Sequence, residues 1–157
     1  MVEHPEIRLL AATPEQAGTL SALHVQLFEK GWDADGMRRL LEHPACVALV
    51  ATTRHAPGLI GFIIAQLTAD EAEILSIGVD KAWQKQGVGC LLVEALIGLA
   101  KRKEARRLFL DVAESNQAAL ALYARLGFTR MGQRKDYYLH ADGQREDALL
   151  MVRQIQG

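Results

Sequence analysis

The amino-acid sequence predicts a single α/β domain over residues 1–157, one mixed sheet carrying helices. Three observations point there. Apolar residues switch between strand-like and helix-like spacing along the chain. A glycine loop, Gln84-Lys85-Gln86-Gly87-Val88-Gly89, sits between an apolar strand and an apolar helix. The 157 residues are 50% hydrophobic and 24% charged, which suits one folded unit with a substantial core.

The elements follow in order. Ile7 to Ala11 reads as a first strand. Thr13-Pro14-Glu15-Gln16 resembles a capping box with proline at the first helical position. The helix after it places Ala17, Leu20, Leu23, Leu27 and Phe28 on one face. Gly31-Trp32-Asp33 interrupts it, and Met37, Leu40 and Leu41 mark a short second helix. Val47 to Thr52 is a strand, His55-Ala56-Pro57-Gly58 supplies turn chemistry, and Leu59 to Leu67 returns as the next strand. In Glu73 to Val79, the residues Ile74, Leu75, Ile77 and Val79 form a largely buried strand. From Val88 to Leu99, Leu91, Leu92, Ala95, Leu96 and Leu99 recur at helical spacing. The basic run from Lys101 to Arg107 then places cations at a helix C-terminus, where the dipole favours them. Leu108 to Val112 is a strand, and Asn116 to Leu126 a helix closed by Gly127. Phe128 to Tyr138 and Asp147 to Gln154 form an antiparallel pair joined through Ala141-Asp142-Gly143-Gln144.

Composition narrows the function. A formal net charge of −1 gives no general attraction to nucleic acid or membrane. Two cysteines, Cys46 and Cys90, make no disulfide framework, so a cytoplasmic setting is the simpler reading. The segment Met1-Val2-Glu3-His4-Pro5-Glu6 lacks the basic start and apolar core of a signal peptide. No apolar run approaches the length of a membrane span. His4, His24, His43, His55 and His140 are scattered without ligand spacing, so no metal is expected.

The glycine loop carries the chemistry. Glycines at a helix start let several backbone N–H groups point at one anion, with help from the helix dipole. A Walker loop needs a longer glycine spacing followed by Lys-Ser or Lys-Thr, and this chain has Cys90-Leu91 there. A dinucleotide fingerprint needs a third glycine at Leu92, although Asp111 stands at about the right distance for its ribose-binding acid. The third reading is the pyrophosphate loop of the GNAT acyltransferases, Gln/Arg-x-x-Gly-x-Gly/Ala. Gln84, Gly87 and Gly89 match it without a gap.

The element order, with this loop after the fourth strand, resembles the GNAT N-acetyltransferase fold across nearly the whole chain. Within that superfamily the chain is similar to the ribosomal-protein-alanine N-acetyltransferases of the RimI type. The residues that carry the likeness are Ile77-Gly78-Val79-Asp80, Gln84 to Gly89, Ser115-Asn116, Ala121-Leu122-Tyr123, Leu126-Gly127-Phe128, Tyr137-Tyr138, Asp142-Gly143 and Glu146-Asp147-Ala148. The resemblance implies a single, largely antiparallel sheet of seven strands, with helices on both faces and a splay between strands four and five. It implies acetyl-CoA as co-substrate, without metal, and a peptide or protein N-terminus as partner, with a ribosomal protein foremost. By the same resemblance Ile77, Gly78 and Val79 hold the pantetheine arm. Gln84, Lys85, Gln86, Gly87, Val88, Gly89 and Cys90 cradle the pyrophosphate, and Asn116 contacts the cofactor or caps its own helix.

Acetyl transfer to an amine needs a base for the amine and an acid for the departing thiolate. The resemblance makes Tyr123 the acid. For the base it offers Asp111, where the RimI pattern carries glutamate, with Glu73 on the neighbouring strand as the rival. Aspartate is one methylene shorter, which favours a relay water. Trp32, Tyr137 and Tyr138 are the candidate walls of an acceptor groove. Cys90 lies where a helix start favours a thiolate, although an acyl-cysteine is not the family's mechanism. At pH 7 an α-amine with a pKa of about 7.8 costs about 1 kcal/mol to deprotonate, and a lysine at about 10.4 costs roughly 4.6 kcal/mol. A weak base therefore suits an N-terminal amine. Lysine, a small-molecule amine, and a non-catalytic CoA-binding module remain the alternatives at this point.

Overall fold

The computed structural model describes residues 6–155, so the polar segment before Glu6 lies outside the described residues. The strands are β1 (Ile7–Ala11), β2 (Cys46–Thr53), β3 (Ala56–Thr68), β4 (Glu71–Val79), β5 (Arg107–Ala113), β6 (Thr129–Leu139) and β7 (Arg145–Gln154). The helices are α1 (Ala17–Leu27), α2 (Ala34–Glu42), α3 (Val88–Arg102) and α4 (Gln117–Arg125). They build one seven-stranded sheet in the order β1-β2-β3-β4-β5-β7-β6. Every neighbouring pair is antiparallel except β4 and β5, which run parallel. This is the α/β architecture expected from the sequence. Among the described residues no helix is long and apolar enough to cross a membrane.

The interior strand β3 divides the core. Ile63 and Ala65 pack towards α3, in a cluster with Val88, Leu92, Val93 and Leu96. Phe62 and Ile64 pack towards α1 and α2, with Leu20, Leu23 and Met37. Side chains on a strand alternate between its faces, so one strand serves both layers. Phe62, Ile63, Ile64 and Leu92 are fully buried; each such side chain contributes roughly 1.5–3 kcal/mol.

The parallel ladder is short. β4 and β5 pair only from Glu71↔Arg107 to Ile74↔Leu110. At that point Ser76 pairs with Ile64 and Ile74 with Ala65, so Leu75 is one residue more than β3 can match. Such a bulge bends its strand and increases the local twist. Beyond it β4 follows β3 as far as Val79↔Gly61, and β5 follows β7 as far as Ala113↔Ala148. The two strands part there, and an opening lies between them. The bulge also changes the phase of β4. Ala72 and Ile74 pack on the α3 side before it, and Ile77 and Val79 pack on that side after it.

Two local expectations are corrected. The β2–β3 turn falls at Arg54-His55, and β3 already starts at Ala56. Thr53 pairs with Ala56 and Thr52 with Leu59, so Pro57 and Gly58 lie in an irregularity without register partners. Gly58 sits there at φ +75°, and proline, having no N–H to give, is tolerated. Phe28 is not helical: α1 ends at Leu27, and Phe28 turns extended at φ −125°, ψ 142°. The cations fall as expected, with Lys101 and Arg102 in the last turn of α3. Arg107 pairs with Glu71 across the parallel ladder.

Gly78 is held by a close approach. A β-carbon there would stand 2.7 Å from Phe62 Cε2 and 2.8 Å from Leu27 Cδ1. Phe62 is fully buried and cannot retreat. Gly78→Ala is therefore expected to push α1 off β4 and cost about 1–3 kcal/mol. Urea denaturation measures this, and an unchanged midpoint would show that the contact yields freely.

Candidate active site

The opening between β4 and β5 is a cavity of about 600 Å3. One wall is β4 at and beyond its bulge, with Leu75, Ser76 and Ile77, and the other is the end of β5 from Leu110 to Ala113. Asn116, Ala119 and Tyr123 from the α4 region line it, as do His24, Leu27, Phe28 and Trp32 from α1 and its following loop. Tyr137, Tyr138 and Leu139 from the end of β6, and His140 just after it, complete it.

At the start of α3 the chain leaves amides open. Gly87 is the N-cap residue at φ +85° and supplies no side-chain cap. The Leu91 N–H is bonded to the Gly87 carbonyl at 3.0 Å. The amides of Val88, Gly89 and Cys90 before it have no acceptor among the described residues. A β-carbon at Gly89 would meet nothing closer than Leu122 at 3.5 Å; packing alone does not demand glycine there. The glutamines fasten the loop to its own chain. Gln84 Nε2 donates to the Val79 carbonyl at 2.9 Å, and Gln86 Nε2 to the Ala82 carbonyl at 3.2 Å. Lys85 takes φ +64° to let the loop turn. Open amides at a helix N-terminus beside a strand free on one edge fit a pyrophosphate with an extended arm.

The expected catalytic residues are brought to this opening unequally. Tyr123 is 5% exposed, and burial pushes its hydroxyl up to about 12. It stays protonated at neutral pH, its ring edge-on to Phe128 at 5.5 Å. Asp111 lines the cavity with its side chain 11% exposed and accepts from Arg134 Nε at 3.1 Å. Glu73 lies before the bulge, in register with Phe109, and does not line the cavity. Asn116 caps α4 by accepting from the Ala119 N–H at 3.1 Å, and it also lines the cavity. Cys90 differs from expectation. Burial first, and then the Glu94 carboxylate at 3.3 Å, push its thiol up rather than down.

The hairpin shows why Tyr137 and Tyr138 reach the site. The register of β6 against β7 jumps between Arg134 and Tyr138. Asp147 holds the irregular stretch, accepting from the Asp136 N–H at 2.8 Å and from Gln133 Nε2 at 2.6 Å. Tyr137 and Tyr138 stand edge to face at 5.0 Å. Burial first, and then the charge of Asp111, push the Tyr138 hydroxyl up to about 12.

Two site residues were not singled out from the sequence. His140 bridges Glu146 Oε1 at 2.8 Å and Glu29 Oε2 at 3.4 Å, and both carboxylates raise its pKa. It joins the hairpin to the loop after α1. His24 is 2% exposed and packed among Phe28, Trp32 and Phe62. Its place on the apolar stripe of α1, beside Leu20, Leu23 and Leu27, was the available signal.

Residues 18–128 match the acetyltransferase (GNAT) family, and the chain belongs to that family. Over 94 residues it is 43% identical to the ribosomal protein bS18-alanine N-acetyltransferase of Escherichia coli (strain K12), covering 60% of this chain and 63% of that protein. This match thus spans under two thirds of the relative's length. A candidate counterpart in Bacillus subtilis (strain 168) is 35% identical over 126 residues, 79% of this chain and 80% of that one. The crystal structure of the ribosomal-protein-S18-alanine N-acetyltransferase from Escherichia coli superposes with a TM-score of 0.88 at 28% identity, covering 96% of this chain and 95% of that one.

Burial pushes His24 down to about 4, below an unfolded value of about 6.5. The unfolded chain therefore takes the proton first. The stability contributed by the neutral buried ring is complete above about pH 6.5 and is lost as pH falls towards 4, by roughly 3 kcal/mol. Urea stability of the protein should thus fall relative to His24→Phe between about pH 7.5 and 4.5. A difference that stays constant over that interval contradicts the buried neutral ring.

Proposed function

We propose that this chain transfers the acetyl group of acetyl-CoA to the α-amine of a protein N-terminus, with alanine at the start of a small-subunit ribosomal protein as acceptor. The observation that carries the reading is one opening that joins the free edge of β4, Asp111 and Tyr123, beside the open amides of α3. The Escherichia coli relative is named for such an activity, which supports the choice of acceptor. The reaction takes place in the cytoplasm within one domain spanning the chain, with neither membrane nor nucleic acid as partner.

Acetyl-CoA supplies a thioester carbonyl and a thiol leaving group. The amides of Val88, Gly89 and Cys90, with the loop from Gln84 to Gly87, hold its pyrophosphate. Ile77, Gly78 and Val79 pair with the pantetheine arm along the free edge of β4. Asn116 spends its oxygen on the helix cap and keeps its NH2 for the cofactor. Asp111, rather than Glu73, takes the proton of the attacking amine through a water, because of these two carboxylates it is Asp111 that lines the cavity. Arg134 holds one of the Asp111 oxygens at 3.1 Å and so fixes the direction in which the carboxylate points. Tyr123 holds its proton at Oη for the leaving sulfur. Trp32, Tyr137 and Tyr138 wall the acceptor peptide.

Two peptides test the reading: one with a free N-terminal alanine, one with a blocked N-terminus and an internal lysine. Thiol release and product mass are expected on the first alone. Acetylation of the lysine peptide, or of neither, overturns the acceptor. Tyr123→Phe should lower kcat by roughly a hundredfold with the KM for acetyl-CoA little changed. In pH–rate profiles Asp111→Asn should abolish the acidic limb and Glu73→Gln should retain it; the opposite result makes Glu73 the base.

A further inference from the structure

The buried histidine at the cavity wall has no part in the chemistry above, yet its contacts are directed. The Trp32 backbone N–H donates to His24 Nδ1 at 3.1 Å. The neutral ring therefore carries its proton on Nε2. That nitrogen donates to Ser76 Oγ, 3.1 Å away. The ring is also stacked between Phe28 and Trp32, with both centroids 4.4 Å distant and planes tilted by 29° and 18°. Ser21 Oγ donates to the Trp32 carbonyl at 2.6 Å, so α1 grips both polar groups of that residue's backbone.

These contacts tie two walls of one cavity. Phe28 and Trp32 belong to the segment that leaves α1, and Ser76 is the first residue of β4 beyond the bulge. The next residue, Ile77, begins the edge assigned to the pantetheine arm. We infer that His24 is a positioning residue. It sets the acceptor wall, Phe28 and Trp32, at a fixed distance from the acetyl-bearing edge of β4 by bonding to Ser76. The inference rests on the acceptor reading given above.

The ring is well suited to the task. A flat side chain can stack on both faces while its two edge nitrogens bond in opposite directions, one accepting and one donating. A phenylalanine keeps the stack and loses both bonds. An asparagine can still accept from Trp32 but is too short to reach Ser76. The groups packed on the ring are Phe28, Trp32, Phe62 and Ser76, none of them charged.

Steady-state kinetics on the full chain with the alanine peptide test this. Ser76→Ala removes the bond and leaves the stack. The KM for the peptide should rise by roughly five- to tenfold, while the KM for acetyl-CoA stays within about twofold. Ser76→Thr, which keeps the hydroxyl, should restore the peptide KM. His24→Asn, which loses the stack as well as the bond, should raise the peptide KM at least as much, and adding Ser76→Ala to it should change nothing further, because the bond is already gone. An unchanged peptide KM in Ser76→Ala, a rise shared with acetyl-CoA, or additive effects in the double variant overturns the inference. Wild-type enzyme that acetylates no N-terminal peptide overturns the acceptor reading itself. Failure confined to Ser76→Ala overturns the positioning role alone.

Discussion

At Leu75, β4 carries one residue more than β3 can pair, and the parallel ladder to β5 has just ended at Ile74↔Leu110. Everything at the site depends on that coincidence. An unbroken ladder would pair the edge of Ile77 to Val79 with β5 and leave no room for a ligand. The bulge bends β4 away while β3 continues to hold it, so the free edge is exposed without unravelling the sheet. It also rotates the side chains. Ser76 and Gly78 now face α1, which brings the hydroxyl to His24 and requires glycine beneath Phe62 and Leu27. Glu73, before the bulge, stays outside the cavity.

Around that opening, charge and burial are kept apart. The deep groups are neutral: Tyr123 is held protonated and His24 unprotonated, both by desolvation. Carboxylates in and beside the cavity are paired, Asp111 with Arg134, and Glu146 with His140 and the Ser115 N–H. His140 also reaches Glu29, so the hairpin and the loop after α1 are joined across the cavity rim.

Much of this was legible from the sequence, for identifiable reasons. Long periodic segments such as Val88 to Leu99 gave the helices, and Gln84, Gly87 and Gly89 placed the glycine loop at the start of α3 because helix-start geometry is local. Asn116 and Gly127 marked the ends of α4. The Leu75 bulge was less visible. Its trace is the slip from Ala72 and Ile74 to Ile77 and Val79, which a run of apolar residues conceals. Pro57 and Gly58 looked like a turn because their chemistry suits one; the strand instead uses them in an irregularity. His24 and His140 were missed because their partners, Ser76 and Glu29, are 52 and 111 residues away. That Asp111 lines the cavity and Glu73 does not is likewise a tertiary fact. The roles of Asp147 and Gln133 in holding the β6 irregularity are tertiary and leave no local pattern.

Amide hydrogen exchange with and without acetyl-CoA addresses the central claim most directly. The account predicts slowed exchange in two separated places, along Ile77 to Val79 and at Val88, Gly89 and Cys90. The amides of β1 and β2 should not change. Protection confined to other strands, or protection of the α3 amides without β4, would contradict an arm lying along the edge that the bulge sets free.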